Sequence, residues 1–502
     1  MPRQPNVLWI MTDQQRADAL GAVTPWMHTP NLDRLAVEGV HLRRAFAQSP
    51  VCVPSRINYV TGRYPHSHRN RENNARVGPG EPHIFRVLKA SGYNLGIIGK
   101  NHMFYEDELV NLNLDLTHVD KMGDNSSPEA QAYQAHWAEC RRRLWEEGSW
   151  TASFHDFPEE LTRTHRTGAA AVDYLRQADP SRPFFLWVSF ADPHVPHTAP
   201  RRFAHLYPLE EMPVPPGALA SEAEAEVRDK PRRQAIKRKA QGMVGAPEEG
   251  LRRYLAVYSA MISFIDEWIG RILYTLAMRG LAEDTIVVFV SDHGDFRGEH
   301  GMVKKDLLLY DALLNVPCII RHPGHIKPQV VDALVEQVDL YPTLMDYLRL
   351  ELPKGVQGRS LRPLLEGDVD AIHGAVFGEI CPPLYRNPYA SADGFISEWE
   401  KYHAAEGHPL QWTAPYNVPG DYIKSIRTST RKYVWYANGE EELYDLEADP
   451  GETVNLAGDP AYADEKRILK MHLLEWHALS EDPLDSGDAR AFAQRYPWAT
   501  GR

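Results

Sequence analysis

The residues able to do chemistry come in short polar groups, most of them placed where an apolar run stops. Asp13-Gln14 follow Asn6 to Thr12 (NVLWIMT), and Gly99-Lys100-Asn101-His102 follow Tyr93 to Ile98. Asp192-Pro193-His194-Val195-Pro196-His197 follow Pro183 to Phe190, and Ser291-Asp292-His293-Gly294 follow Thr285 to Val290 (TIVVFV). A further group is a lone cysteine with proline, serine and arginine behind it, Cys52-Val53-Pro54-Ser55-Arg56. Each group has an ordinary structural use. An Asp at a strand end commonly caps or turns the chain, and a lone Cys is commonly a small buried hydrophobe. The shared position changes the reading: Lys100 and His102, two apart beyond a strand, can lie side by side to carry charge and transfer protons.

The elements that must position these groups are legible as patterns. Short apolar runs bounded by polar residues suit parallel strands buried on both faces. In open α/β sheets ligands gather beyond the carboxyl ends of the strands, so these polar groups are expected to converge on one crevice. Helical signals lie between the runs: a capped helix at Thr29 to Gly39, helices at His83 to Ser91 and Thr164 to Arg176, and a long one over Leu251 to Met278. The last carries Leu255, Tyr258, Met261, Ile262, Ile265, Ile269 and Ile272 at helical spacing, which reads as core packing. Residues 106–160 show no clear period and are expected to form an insertion over the crevice. The stretch 63–76 (RYPHSHRNRENNAR) is either a solvated loop or a pocket wall facing an anionic substrate. Residues 217–250, with few large apolar side chains and dense charge of both signs, suggest a mobile surface lid or an oligomer arm. The expected division is a main α/β domain over 1–371 and a smaller unit over 372–502, where Asn438-Gly439 marks a hairpin turn and Tyr462 to Leu479 a final helix.

Composition bounds the function. The chain has 502 residues, 43% of them hydrophobic, enough for a large core and a satellite unit. Against 55 Lys and Arg stand 68 Asp and Glu, a net charge of −13 that argues against a general nucleic-acid binder. The four cysteines have no paired spacing, so neither a disulfide framework nor a zinc finger is expected. Val7 to Met11 is too short for a signal sequence and no run approaches the ~20 residues of a membrane span. The expectation is a soluble, cytoplasmic protein without a membrane partner.

Taken in order, these groups resemble the type I, formylglycine-dependent sulfatases of the alkaline phosphatase superfamily. The resemblance rests on C-x-P-S-R at 52–56, on Thr29-Pro30-Asn31-Leu32-Asp33-Arg34-Leu35 with Gly39, on Thr61-Gly62 and on G-K-x-H at 99–102. It continues through Ser291-Asp292-His293-Gly294, His300-Gly301, Tyr310, Val316-Pro317, Val338 to Leu344, Gly358-Arg359-Ser360-Leu361 and Glu442 to Leu446 with Asp449-Pro450. It implies an α/β fold with a mostly parallel central sheet flanked by helices, and a small C-terminal α+β subdomain with an antiparallel sheet. It also implies that Cys52 is oxidised to formylglycine by a formylglycine-generating enzyme.

The same resemblance assigns Asp13, Gln14, Asp292, His293 and residue 52 to one divalent cation, typically Ca²⁺. Many members carry Asp where Gln14 stands and Asn where His293 stands; this less anionic set leaves Mg²⁺ or Mn²⁺ open. In the implied reaction a hydroxyl of the hydrated aldehyde attacks sulfur, Arg56 and Lys100 balance charge, and Lys305 or His194 assists the leaving oxygen. His102 then takes the proton that releases sulfate. His194 matches better than His197. Counting from His300 gives Lys305 and counting back from Pro317 gives Asp306, so Lys304 stays open. The implied substrate is a small-molecule or carbohydrate sulfate ester, and a homo-oligomer is compatible with the chain. Two alternatives stand beside this: a phosphonate or phosphate mono- or diester hydrolase, since Asp13-Gln14 also suits phosphonate monoester hydrolases, and a non-catalytic binding protein on the same scaffold.

Overall fold

The computed structural model describes residues 4–119, 127–146, 152–219, 230–380 and 422–481, apart from 72, 74, 79 and 306. The main domain is built on eight strands: β1 Asn6–Thr12, β2 Val40–Leu42, β3 Asn94–Gly99, β4 Leu116–Val119, β5 Phe184–Ser189, β6 Thr285–Ser291, β7 Cys318–Arg321 and β8 Gln329–Val331. They lie in the order β8-β2-β7-β6-β1-β5-β3-β4. From β6 across to β4 every pairing is parallel, whereas β7 runs antiparallel to both β6 and β2. The apolar runs therefore become the buried centre of the sheet, and all of β1, β5 and β6 is buried.

Alternation along β1 feeds two cores. Val7, Trp9 and Met11 face one layer with Tyr59, Trp187 and Val288, and Trp9 stacks on Trp187 at 5.0 Å. Leu8 and Ile10 face the other with Ile262, Ile265 and Phe289. The flanking helices are α1 Pro30–Glu38, α2 Cys52–Thr61, α3 Ile84–Ala90, α4 Pro128–Glu146, α5 Arg163–Gln177, α6 Arg232–Ala240, α7 Glu248–Met278 and α8 Leu340–Leu348. The long α7 buries its apolar stripe on the sheet. It closes tightly on α5, where a Cβ at Gly168 would stand 2.3 Å from the Trp268 ring. A second, four-stranded antiparallel sheet follows: β9 Ala375–Ile380, β10 Ile423–Thr428, β11 Arg431–Tyr436 and β12 Glu441–Asp445, covered by α9 Ala463–Ser480. Phe377 stacks on Trp476 of α9 at 4.5 Å, joining sheet and helix.

The structure adds to or qualifies the patterns in four places. Within 106–160 lies α4, nineteen residues long. Its buried stripe is made of Ala130, Tyr133 and Cys140 rather than large aliphatics, so the period is faint. The described part of 217–250, expected as a mobile lid or an oligomer arm, is tied to neighbouring elements at several points. Lys230 donates to Tyr444 Oη at 2.5 Å and to the Glu452 carbonyl, and Gln241 Oε1 accepts the Val303 N–H at 3.0 Å. Residues 220–229 lie outside the described set. The apolar run 315–321 is split at Pro317, which has no N–H for the ladder: Asn315–Val316 pairs with Ala45–Phe46, and only Cys318–Arg321 enters the main sheet. Finally, 63–76 is in large part buried rather than solvated, with Arg63 paired to Glu81, His68 Nε2 2.8 Å from Asn58 and His66 Nδ1 2.7 Å from Glu379. The Pro- and Trp-rich stretch 381–419 lies outside the described residues. Among the described residues no helix is long and apolar enough to cross a membrane.

Candidate active site

The strand register lines up the carboxyl ends that carry the polar groups. Thr12 lies opposite Ser291, Met11 opposite Ser189, and Ser189 opposite Gly99. The residues that follow, Asp13-Gln14, Asp292-His293 and Lys100, therefore emerge at one level. Gly99 is required for this: its φ is +88° and a Cβ would meet the Ser189 carbonyl oxygen at 2.0 Å. Gln14 itself is held at φ +71°, an uncommon setting for a residue with a side chain. Cys52 opens α2, so its sulfur sits at the partially positive end of a helix, where a thiolate is favoured.

The Cys52 sulfur is the centre of the cluster. Asp13 Oδ1 lies 3.8 Å away, His293 Nε2 3.4 Å and Lys100 Nζ 3.7 Å. Lys305 Nζ also donates to the sulfur and stands 3.0 Å from His293 Nε2. His102 and His194 lie close enough to Cys52 for it to act on the titration of both rings. Lys304 goes elsewhere. Its side chain is buried, its φ is +63°, and its backbone N–H donates to Tyr254 Oη at 3.1 Å. The neighbouring His197 belongs to a strand, His197–Pro200, and packs edge-on to Tyr254 at 4.6 Å.

Arg56 balances charge from behind the sulfur, through the two carboxylates. It is fully buried and its guanidinium is spent within the protein: Nε on Asp292 Oδ2 (2.9 Å), Nη2 on Asp13 Oδ2 (2.8 Å), Nη1 on Ser189 Oγ (2.6 Å) and the Lys100 carbonyl (3.2 Å). Its charge is directed at the two carboxylates, which it holds at a fixed spacing. Lys100 Nζ meets Asp13 Oδ2 from the other side at 2.5 Å.

The charges act on one another. Burial and the Asp13 carboxylate push the Cys52 thiol up, but Lys100, Lys305 and His293 outweigh them and hold it well below the usual thiol range. Burial opposes ionisation of Asp13, yet Lys100, His194, Arg56 and Lys305 keep it well below the usual carboxylate range. Asp292 moves the other way, raised by burial and then by Asp13. Burial, seconded by Lys100, lowers His102 to about 4.

Several supporting residues carry no signal in the sequence. Gln337 Nε2 donates to the Asp292 carbonyl at 2.7 Å, and Ser55 Oγ donates to the same oxygen. Ser189 anchors Arg56, 133 residues away in sequence. Asp295, three residues beyond Asp292, accepts from Gln14 Nε2 at 2.8 Å. The strand-end position of Ser189 was visible; its partner was not.

The residues present could hold a divalent cation. One ligand atom each from Asp13, Cys52, Asp292 and His293 lie within 4.8 Å of one another. Beside them Gln14 Oε1 is buried without a hydrogen-bond partner. A buried polar oxygen in that state is costly unless something electropositive meets it.

Known proteins resemble the chain in sequence and in fold. The sulfatase family model matches residues 5–350, and the chain belongs to that alkaline-phosphatase-like sulfatase family, a class of sulfuric ester hydrolases. An arylsulfatase of Clostridium perfringens is 30% identical over 94% of each chain. The multifunctional alkaline phosphatase superfamily protein PehA of Trinickia caryophylli is 28% identical over 95% of this chain and 96% of its own. The crystal structure of the phosphonate monoester hydrolase of Agrobacterium radiobacter matches with a TM-score of 0.73 at 25% identity, over 95% of this chain and 96% of its own.

Proposed function

We propose that the protein hydrolyses a sulfate monoester to an alcohol or phenol and inorganic sulfate, with residue 52 matured to formylglycine and one divalent cation, Ca²⁺, at its side. The observation that carries this is the buried Cys52 sulfur at a helix start, ringed by Asp13, His293, Lys100 and Lys305. When present, the aldehyde hydrate supplies the nucleophilic hydroxyl and the cation supplies Lewis-acid stabilisation of the charge that gathers there. Asp13, Gln14, Asp292 and His293 would hold the cation.

The protein's own residues do the rest. Arg56 fixes the spacing of Asp13 and Asp292. Lys100 and Lys305 place two ammonium groups at residue 52, where an anionic ester must approach. Burial keeps the His102 imidazole neutral near pH 7, so it can take a proton at residue 52. Lys305 and His194 approach residue 52 from separate segments and serve the departing oxygen. A serine at 52 would lack the second hydroxyl whose deprotonation expels sulfate.

A second reading is phosphonate or phosphate ester hydrolysis. It is favoured by Gln14 beside Asp13 and by the likeness to a phosphonate monoester hydrolase. Rates on aryl sulfate and aryl phosphonate esters sharing one leaving group decide between them: a higher kcat/KM for the phosphonate overturns the sulfate assignment. Peptide mass spectrometry tests the maturation, since cysteine and formylglycine differ by about 18 Da, H₂S lost and O gained. Full activity from protein carrying only cysteine at 52 would refute it. Aryl, alkyl and carbohydrate sulfates all fit the class, and a sulfate-release panel ranks them.

A further inference from the structure

Behind the ligand set lies a buried carboxylate that the chemistry above does not use. Asp295, fully buried, accepts the Gln14 Nε2–H at Oδ1 (2.8 Å) and the Tyr254 O–H at Oδ2 (2.6 Å). Tyr254 Oη in turn accepts the Lys304 backbone N–H at 3.1 Å, and Tyr258 Oη donates to the Gln14 carbonyl at 2.8 Å. Gln14 is thereby fixed from three directions, with its own backbone N–H on Asp292 Oδ1 at 3.0 Å.

A buried amide side chain has two orientations that exchange its oxygen and nitrogen ends. A carboxylate only accepts, so opposite Asp295 the NH₂ end is favoured and the oxygen end must point away. That oxygen, Gln14 Oε1, is the buried atom left without a partner. We propose that Asp295, propped by Tyr254, is a positioning residue for the metal centre: it orients the Gln14 amide so that Oε1 is presented as a neutral oxygen donor. The inference rests on Gln14 being a ligand. It also accounts for the residue type at 14, because a glutamate there would bring two carboxylates into hydrogen-bonding contact.

The test is calorimetric titration of chelator-stripped, full-length protein with Ca²⁺, with melting curves of the metal-free variants as the folding control. Asp13→Ala should abolish binding. Asp295→Asn should weaken Ca²⁺ affinity by roughly 10- to 100-fold, the usual effect of losing a group that orients a ligand. Gln14→Leu/Asp295→Asn should bind no more weakly than Gln14→Leu alone, because Asp295 acts only through Gln14. Exchanging the two chemistries, Gln14→Glu/Asp295→Asn, should bind at least about tenfold more tightly than Gln14→Glu, since the new amide can donate to the new carboxylate. Were Asp295→Asn not to fold, Tyr254→Phe removes only the propping hydroxyl and should weaken affinity in the same direction. Wild-type affinity in Asp295→Asn, or losses that multiply in the Gln14→Leu double variant, would overturn the proposal. Wild-type affinity in Asp13→Ala would instead overturn the ligand assignment on which it rests.

Discussion

Among the described residues stand two buried clusters of acid and histidine side chains, alike in composition and unlike in how their oxygens are partnered. Asp13, Asp292, His293 and Cys52 form one; Glu336, Asp339 and His373 form the other, and in each the ligand atoms lie within 4.8 Å of one another. In the second every carboxylate oxygen is claimed by the protein. Glu336 Oε1 accepts from the Phe377 N–H (2.8 Å) and Oε2 from Tyr64 Oη (2.6 Å). Asp339 Oδ1 accepts from the Arg359 N–H (2.8 Å), and Oδ2 from the Glu336 N–H and His373 Nε2 (both 2.8 Å). This cluster ties the start of α8 to β9 and to the loop carrying Tyr64. In the first cluster Asp13 Oδ1 meets only a sulfur at 3.8 Å and Gln14 Oε1 meets nothing. Donor type is shared; donor availability separates the candidate cation centre from the second cluster.

The widest gap between the two is expected on removing a carboxylate. Asp13→Ala should lower kcat/KM by at least ~10³-fold and abolish bound metal, measured by atomic emission on dialysed protein. Cys52→Ala should be equally inactive while keeping the fold, because the sulfur carries no main-chain hydrogen bond. Asp339→Ala should leave metal content unchanged and instead cost about 3 kcal/mol of unfolding free energy in urea, from stranding His373 and two buried N–H groups. Metal loss in the Asp339 variant, or its retention in the Asp13 variant, would erase the distinction.

A smaller effect sharpens the first cluster from its outer side. Lys305 and His194 come from segments over 100 residues apart in sequence, yet both reach residue 52. Lys305→Ala should slow esters with basic leaving oxygens by about 10²-fold and those with acidic phenols much less, steepening the dependence of rate on leaving-group pKa. Lys100→Ala should slow all of them about equally. Lys304→Ala should leave that dependence as it is, since its backbone is bound to Tyr254 behind the cluster; a steeper slope for Lys304→Ala would reverse the assignment.

Which parts could be read in advance follows from the same contrast. The strand-end groups at 13, 100, 194 and 292 were legible because a parallel strand buried on both faces writes itself as an apolar run, and the next polar residue marks its end. Cys52 was legible only through its neighbours Pro54, Ser55 and Arg56. Pairing was not legible. That Arg56 would be consumed by Asp13, Asp292 and Ser189 depends on three chain segments meeting, and no local pattern encodes that meeting. The helix α4 escaped because its buried stripe uses Ala130, Tyr133 and Cys140 where a stripe of leucines would have shown. Asp339 stood in a block that carried the family resemblance, but gave no hint that its oxygens were already taken.

The smallest effect belongs to the closed cluster and concerns pH. Burial, aided by the nearby Asp339 and opposed by His373 and the Tyr64 hydroxyl, raises the Glu336 carboxyl from 4.5 to about 7. The folded protein therefore holds a proton at Glu336 that the unfolded chain has released. Between those two values the native state binds more protons than the unfolded state, so stability contributed by this group is present below about 4.5 and is lost as pH rises through about 7. The slope for one such group is at most about 1.4 kcal/mol per pH unit, shared here with the other members of the cluster. Glu336→Gln keeps an oxygen for the Phe377 N–H, removes the titration, and should flatten the stability profile between pH 5 and 7 by up to about one proton's worth of slope. Urea unfolding of wild type and variant at four pH values in that window measures it. An identical slope in both would mean that Glu336 is ionised throughout and that its two hydrogen bonds outweigh its burial.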